Sequence, residues 1–405
     1  MDVNDGQVHP SRWIQRLFPP LAPLAVIGAP VTCPVSVVVL AKDEERCVAR
    51  CLDSLVGLGL DKVLVVDTGS VDKTTAIVEE YRRHGVQLAR VPWADSFSEV
   101  RNFAIEAVGT GWVVFLDADE WIDRRSAGQL LSCLASLNVL QGLDHLVFAP
   151  IIQHVGRDQV MEDVPRIFRA DSRIRYRGPV HEYPVCAGPV DEPVGMVSLN
   201  LLFHHDGYEE AVLAEKDKRS RNLRLLNVAG KADPDNPRWP YFMVRDGLPV
   251  LDRARILDLC GTLKDLVERD PETGDRLKAR HYYRRALCIA CQGLVVMGDW
   301  ATLHVYCDEL DRVDRCDSPD AHYFRSVAGL IGDALTGSVL LRTIRIRRDE
   351  ELISNSAVDR SGRHLDALIA ALLDRFKSAS DAQRYRELCA PWTDEIFECS
   401  NLRLR

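Results

Sequence analysis

No stretch of the 405 residues approaches the ~20 consecutive apolar side chains that a helix needs to cross a bilayer. The longest apolar run, Pro34 to Ala41, has the length of a buried strand. A surplus of cations is missing too. The net charge is −9, which works against generic binding to nucleic acid or to an anionic membrane, because both need Lys and Arg to neutralise phosphates. The local exception, Arg342, Arg345, Arg347 and Arg348, reads as a solvated helix face. The 12 cysteines lack the density of a secreted disulfide framework, and Cys288 and Cys291, although spaced C-x-x-C, have no second pair at zinc-ribbon spacing. Reduced thiols fit a cytoplasmic protein. Residues 1–32 place Arg12 and Arg16 ahead of a proline-interrupted apolar segment without a small-residue cleavage site, and they read as a loosely packed extension.

What is present is globular: 46% apolar and 27% charged residues, in a chain too long for one ordinary core. From Pro34 onward, buried strands alternate with amphipathic helices, the pattern of a mostly parallel sheet with helices on both faces. Strands are expected at Val35–Leu40, Lys62–Asp67, Val86–Arg90 and Trp112–Leu116, and a helix at Phe97–Val108. After Leu143 come strand-like pieces that would complete the sheet: His145–Ile152, Arg166–Arg169, Ile174–Val180 and Val197–His205. From Glu209 the pattern is helical, with a boundary near Gly207. The expected division is 1–32 extension, 33–207 α/β domain and 208–405 helical domain.

The helical part repeats itself. Asp235-x-Pro237-x-x-x-Tyr241-Phe242-x-x-x-x-Gly247-Leu248 recurs, with identical spacing, as Asp317-x-Pro319-x-x-x-Tyr323-Phe324-x-x-x-x-Gly329-Leu330. An offset of 82 residues holds two helix pairs near the length of tetratricopeptide-like units, with Tyr282-Tyr283 and Gly293-Leu294 as a degenerate middle copy.

Two strands end in acids, Asp67 and Asp117, and in open α/β sheets ligands gather at the carboxyl ends of strands. The second end continues as Asp117-Ala-Asp119-Glu120. Two carboxylates on the rim of a buried sheet suit a hard divalent cation, Mg²⁺ or Mn²⁺, which keeps coordination sites for substrate phosphates. Such an ion neutralises the charge that develops on a departing diphosphate.

Four stretches in order, Val35-Ser-Val-Val-Val-Leu-Ala-Lys-Asp-Glu-Glu, Val65-Val-Asp-Thr-Gly-Ser-Val-Asp-Lys-Thr, Phe97-Ser-Glu-Val-Arg-Asn-Phe-Ala and Phe115-Leu-Asp-Ala-Asp-Glu, resemble glycosyltransferase family 2. Pro165-Arg-Ile-Phe-Arg, Arg177-Gly-Pro-Val-His-Glu and His204-His-Asp-Gly-Tyr resemble a subgroup in which tetratricopeptide-like helices follow the transferase domain, a layout similar to that of bacteriocin peptide S-glycosyltransferases. The resemblance covers about residues 33–250.

It implies a GT-A fold and an inverting, metal-dependent hexosyl transfer from a nucleotide diphosphate sugar, a UDP-sugar, to a peptide side chain, glycan or small molecule. Carried over where motifs match, Ala41 and Glu44 would line the nucleoside pocket, Asp67 would accept from the nucleobase and Arg101 would sit against base or ribose. Asp117 would contact ribose or metal, Asp119 the metal, and His204 would reach back to the metal. For the general base that an acceptor needs, Glu182 and His181 are the candidates and Glu120 the fallback, since the family's usual Glu-Asp pair is absent. The helical domain would bind acceptor or form a homodimer. The competing expectation is a scaffold without catalysis, in which the first domain docks a nucleotide and the helices recruit a peptide.

Overall fold

A computed structural model describes residues 33–138, 142–156, 160–206, 211–269, 274–332, 334–390 and 392, with the side chains of 211–217 and 274–277 left out. The expected extension at 1–32 and the boundary near Gly207 lie outside the described residues. The chain divides into two compact units, Met1–Asp217 and Lys218–Arg405.

The first unit is built on strands β1 (Val35–Ala41), β2 (Lys62–Asp67), β3 (Val86–Arg90), β4 (Trp112–Asp117), β5 (Glu120–Ile122), β6 (Leu146–His154), β7 (Val160–Met161), β8 (Ile167–Arg169) and β12 (Gly195–His205). They order as β3-β2-β1-β4-β8-β6-β12-β5, with β7 on β6. The first four are mutually parallel, β8 runs antiparallel between β4 and β6, and β12 is parallel to β6. A small second sheet joins β9 (Ile174–Arg177), β10 (Tyr183–Cys186) and β11 (Glu192–Pro193).

Alternate side chains of the central strands feed two cores, as a period of two requires. Val37, Val39, Val65, Val114 and Leu116 lie on one face, and Val38, Leu64, Val66, Val113 and Phe115 on the other. Both faces are covered, so these strands read as continuous apolar runs. The helices are α1 (Val48–Asp53), α2 (Thr74–Glu80), α3 (Phe97–Val108) and α4 (Arg124–Leu137). Helix α3 starts where expected because the Ser96 side chain accepts from Glu99 N at 3.3 Å. Asp123 caps α4 by accepting from Arg125 N at 2.9 Å.

The helical unit follows α5 (Ala211–Ala232), inside which the division falls, with α6 (Arg238–Gly247), α7 (Arg253–Arg269), α8 (Gly274–Met297), α9 (Trp300–Asp314) and α10 (Pro319–Ile331). It ends in α11 (Ser338–Arg348), α12 (Glu350–Ser354), α13 (Arg363–Phe376) and α14 (Ala379–Leu388).

The two sequence copies fall on α6 and α10 and are used alike. Tyr241, Phe242, Tyr323 and Phe324 are all buried. Tyr241 meets Tyr282 at 5.1 Å between ring centroids, and 82 residues later in both partners Tyr323 meets His364 at 5.0 Å. The glycines serve close approach, because a Cβ on Gly247 would overlap Leu251 and one on Gly329 would overlap Leu335. Gly329→Ala is therefore expected to destabilise the helical unit by about 1–3 kcal/mol through overpacking. Urea unfolding followed by circular dichroism measures it, and an unchanged midpoint would show that Leu335 yields freely.

Of the basic run on α11, Arg342 pairs with Asp317 at 2.8 Å and Arg347 with Asp366 at 2.8 Å, while Arg345 and Arg348 are exposed. Cys288 and Cys291 are buried thiols within α8, and no described cysteine is in a disulfide. No helix among the described residues is long and apolar enough to cross a membrane.

Candidate active site at the carboxyl edge of the sheet

Register brings the acids of β2 and β4 to one edge. Ala41 pairs with Asp67 and Leu40 with Asp117, so both carboxylates flank the end of β1, about 10 Å apart at two strand spacings.

Asp67 is 3% exposed and is spent on its own loop, accepting from Gly69 N at 3.1 Å and Ser70 N at 3.2 Å. Gly69 takes φ +107, a backbone that favours glycine, which explains the Thr-Gly-Ser that follows Asp67. The loops after β1 and β2 are laced together. Asp43 N donates to Ser70 Oγ (2.8 Å) and Val71 N to Asp43 Oδ1 (2.7 Å). Glu45 N donates to Asp72 Oδ2 (3.0 Å) and Lys73 N to Glu45 Oε2 (2.9 Å). Glu44 N donates to Thr74 Oγ1 at 2.7 Å, while the Glu44 carboxylate accepts from the Cys47 thiol at 3.1 Å. Ala41 is 3% exposed beneath this wall.

Asp117 stands at the centre of a ladder of alternating charge. Arg101, on α3, donates from Nε to Glu182 at 2.7 Å and from Nη2 to Asp117 at 3.4 Å, with its guanidinium over the Phe115 ring at 5.0 Å. Arg166 donates to Asp117 Oδ2 at 2.6 Å and to Glu120 Oε1 at 2.7 Å. Its backbone is held as firmly, donating to Phe148 O and accepting from Phe115 N, between β6 and β4. Burial disfavours a charge on Asp117, but Arg166 and Arg101 outweigh it and hold its pKa well below the usual carboxylate range. Glu120 is pushed up to about 7, first by burial, against the pull of Arg166, with Asp117 adding to the rise.

The candidate bases separate on this geometry. Glu120 is 2% exposed and carries both Arg166 and the backbone N–H of Asp117, so it is closed to an acceptor. The Glu182 side chain keeps 14% exposure beside Arg101. His181, next to it, adopts φ +50, unusual for a residue with a Cβ.

The two adjacent histidines of β12, of which His204 was the one expected at the metal, have different partners. His204 pairs with Asp123 at 3.4 Å and stacks on Trp121 with centroids 5.2 Å apart, whereas His205 Nε2 lies 3.3 Å from Asp119 Oδ2. Successive residues of a strand point to opposite faces, and β12 presents His205, not His204, on the face of Leu201 and Phe203. Burial opposes a charge on His205, but the Asp119 carboxylate prevails and raises its pKa. Behind it, His154 Nδ1 lies 2.9 Å from His205 Nδ1. Asp206 then ties the strand end to α1, pairing with Arg46 at 3.3 Å and with Arg50, which stacks on Trp121 at 3.9 Å.

Arg166 and His205 carry the site as firmly as the aspartates, and neither was singled out from sequence. Among the described residues no group of three or more His, Cys, Asp or Glu side chains could hold a metal ion alone. Asp117 is taken up by two guanidiniums. Asp119 and His205 are the pair that fits, since cis ligands of an octahedral ion at about 2.1 Å stand roughly 3 Å apart.

An open, mostly parallel sheet with an Asp-x-Asp closing the strand beside β1, followed by an all-helical region, defines a GT-A-type nucleotide-sugar transferase fold. Residues 36–139 match the family model of glycosyl transferase family 2, and an all-helical region lies C-terminal to the matched stretch. It is 26% identical over 302 residues to the SPbeta prophage-derived glycosyltransferase SunS of Bacillus subtilis strain 168, covering 74% of this chain and 67% of that one. Over 149 residues it is 35% identical to a TPR repeat-containing protein of Synechococcus elongatus, covering 36% and 34% of the two chains. Among solved structures, S. aureus TarS aligns with a TM-score of 0.39 and 15% identity over 63% of this chain, which spans about half (52%) of the TarS chain.

Proposed function

We propose that the protein transfers a sugar, with inversion, from a UDP-sugar to a peptide side chain, with Mn²⁺ or Mg²⁺ held by Asp119 and His205. The observation that carries this reading is the convergence of those two side chains, 3.3 Å apart and each about one-fifth exposed, beside Asp117 at the carboxyl edge of a family 2 sheet. Two protein ligands leave the remaining positions of a six-coordinate ion to the donor's diphosphate and water. Bound there, the cation would neutralise the charge on the departing diphosphate.

In this reading the acceptor oxygen or sulfur bonds to the anomeric carbon as the bond from that carbon to the diphosphate breaks. The acceptor proton passes to Glu182, which Arg101 holds in place. A thiol acceptor would lean on the base less, being partly ionised near neutral pH. Asp117, fixed by Arg166, would meet the donor ribose, and the laced loops after β1 and β2 would form the wall of the nucleoside pocket.

The test is nucleotide release from a panel of UDP-, GDP- and dTDP-sugars with Mn²⁺, with and without peptide acceptors. Release confined to UDP-sugars supports the reading. Binding of nucleotide with no turnover on any donor favours the scaffold. The ligand pair is tested separately. His205→Ala is expected to weaken Mn²⁺-dependent donor binding by about 100-fold, while His204→Ala leaves it nearly unchanged. Calorimetry decides, and equal losses in both variants would remove His205 from the metal site.

A further inference from the structure

The helical unit of this acidic protein carries a cationic spot whose charges are left over after its ion pairs are formed. Within α8, Arg284 is consumed, lying 2.7 Å from Asp314 and 3.3 Å from the buried Asp320. Asp320 also accepts from Ala357 N at 2.8 Å and from Val358 N at 3.4 Å, which pins the loop after α12 to the start of α10, where Asp320 meets Arg284 of α8. That loop carries Arg360 to the surface within electrostatic reach of His281, which lies one helical turn before Arg285.

Arg285 and Arg360 are both exposed, and neither is paired with a carboxylate among the described residues. Arg253, Arg325, Arg342 and Arg363 of the same unit each face an aspartate. The spot also has an aromatic floor. The Arg285 guanidinium lies over the Tyr241 ring at 5.3 Å, Tyr241 packs on Tyr282 at 5.1 Å, and His281 sits against Tyr282 at 5.6 Å. Lost hydration among these neighbours, then the nearness of Arg285, Arg360 and Arg284, pulls the His281 pKa down to about 4, as a locally positive potential would.

The geometry points to a docking site for an acidic peptide segment, with one carboxylate on Arg285, one on Arg360 and an apolar or aromatic side chain on Tyr282 and His281. The Tyr241 ring beneath it restrains the Arg285 side chain in advance, and a guanidinium suits a bidentate carboxylate. Charge complementarity selects a short acidic segment over an extended polyanion. Among the described residues the spot offers two cations without a carboxylate partner, and Asp314 and Asp359 pair with Arg284 and Arg363 beside it, which disfavours a continuous phosphate backbone. This inference goes beyond sugar transfer and does not depend on it.

The experiment is fluorescence anisotropy of the full chain with a labelled dodecapeptide of alternating Glu and Gly carrying one central Tyr, at about 50 mM and about 300 mM NaCl. Expected are saturable binding at the lower salt, weakening at the higher, and an affinity about tenfold lower in Arg285→Ala/Arg360→Ala. Arg345→Ala/Arg348→Ala, which removes two exposed cations elsewhere in the unit, should bind as the parent does. If alanine at 285 disturbs the packing of Tyr241, as circular dichroism would reveal, Arg285→Gln/Arg360→Gln keeps the aliphatic start of the side chain and a planar polar end without the charge, and should show the same loss. The proposal is overturned by no binding at low salt, by equal weakening in the Arg345/Arg348 variant, or by an oligothymidylate that binds as tightly as the peptide.

Discussion

Replacing Arg166 with methionine is expected to lower the stability of the sheet unit by about 3–5 kcal/mol, the usual consequence of stripping one partner from a buried ion pair. The Arg166 side chain is only 7% exposed and serves two carboxylates at once, at 2.6 Å and 2.7 Å. Without it Glu120, 2% exposed, loses its cation, and Asp117 keeps only Arg101, at 3.4 Å. Methionine approximates the lost volume, so the effect isolates charge from packing. For a unit of this size the unfolding midpoint should fall by roughly 10 °C. The double variant Arg166→Met/Glu120→Gln should recover a substantial part, because the acid left without a partner is then gone. Differential scanning calorimetry resolves the point, and a single variant as stable as the parent would mean that solvent already reaches these charges.

The second large effect is on turnover. Asp119→Ala is expected to reduce sugar transfer by about 10³-fold or more, since several kcal/mol of charge neutralisation at the leaving group would be lost and each 1.4 kcal/mol is tenfold. The fold should survive. The Asp119 side chain is 19% exposed with His205 as its ion-pair partner, and the backbone bond from Asp206 N to Asp119 O at 3.0 Å does not depend on the side chain. Turnover at saturating donor and Mn²⁺, compared with nucleotide affinity with and without the metal, separates chemistry from binding. Near-parental turnover would dismiss Asp119 as a ligand.

The central sheet was readable because β1, β2 and β4 are buried on both faces, so their β-branched runs could hardly be anything else. Helix α3 matched to the residue because Ser96 and Glu99 mark its start and Gly109 its end. The site was readable only in part. Arg166 stood in a quoted motif, yet nothing in one dimension says that an arginine before Ile167 reaches back to Asp117 and Glu120. The usable sign was a cation set directly before a fully buried Ile-Phe pair, a place where a charge must have a partner. His204 and His205 could not be told apart. The apolar residues before them occupy both parities, and the register of β12 shifts between Ser198 and Leu202, so counting alternate residues along the strand fails. Strand β5, three residues long, was too short to leave a periodic trace.

The lacing of the loops after β1 and β2 bears on how such a site can change over evolutionary time. Asp43 and Glu45 each bind a residue pair on the opposite loop, Ser70 with Val71 and Asp72 with Lys73, through side chain in one direction and backbone in the other. A segment transplanted into one loop alone would arrive without its counterparts, stranding donors and acceptors in both. The two stretches, although about 27 residues apart in sequence, therefore form one heritable module. New nucleotide preference in this lineage should appear as paired exchanges across 42–45 and 69–74, and chimaeras that swap both together should fold where single swaps falter.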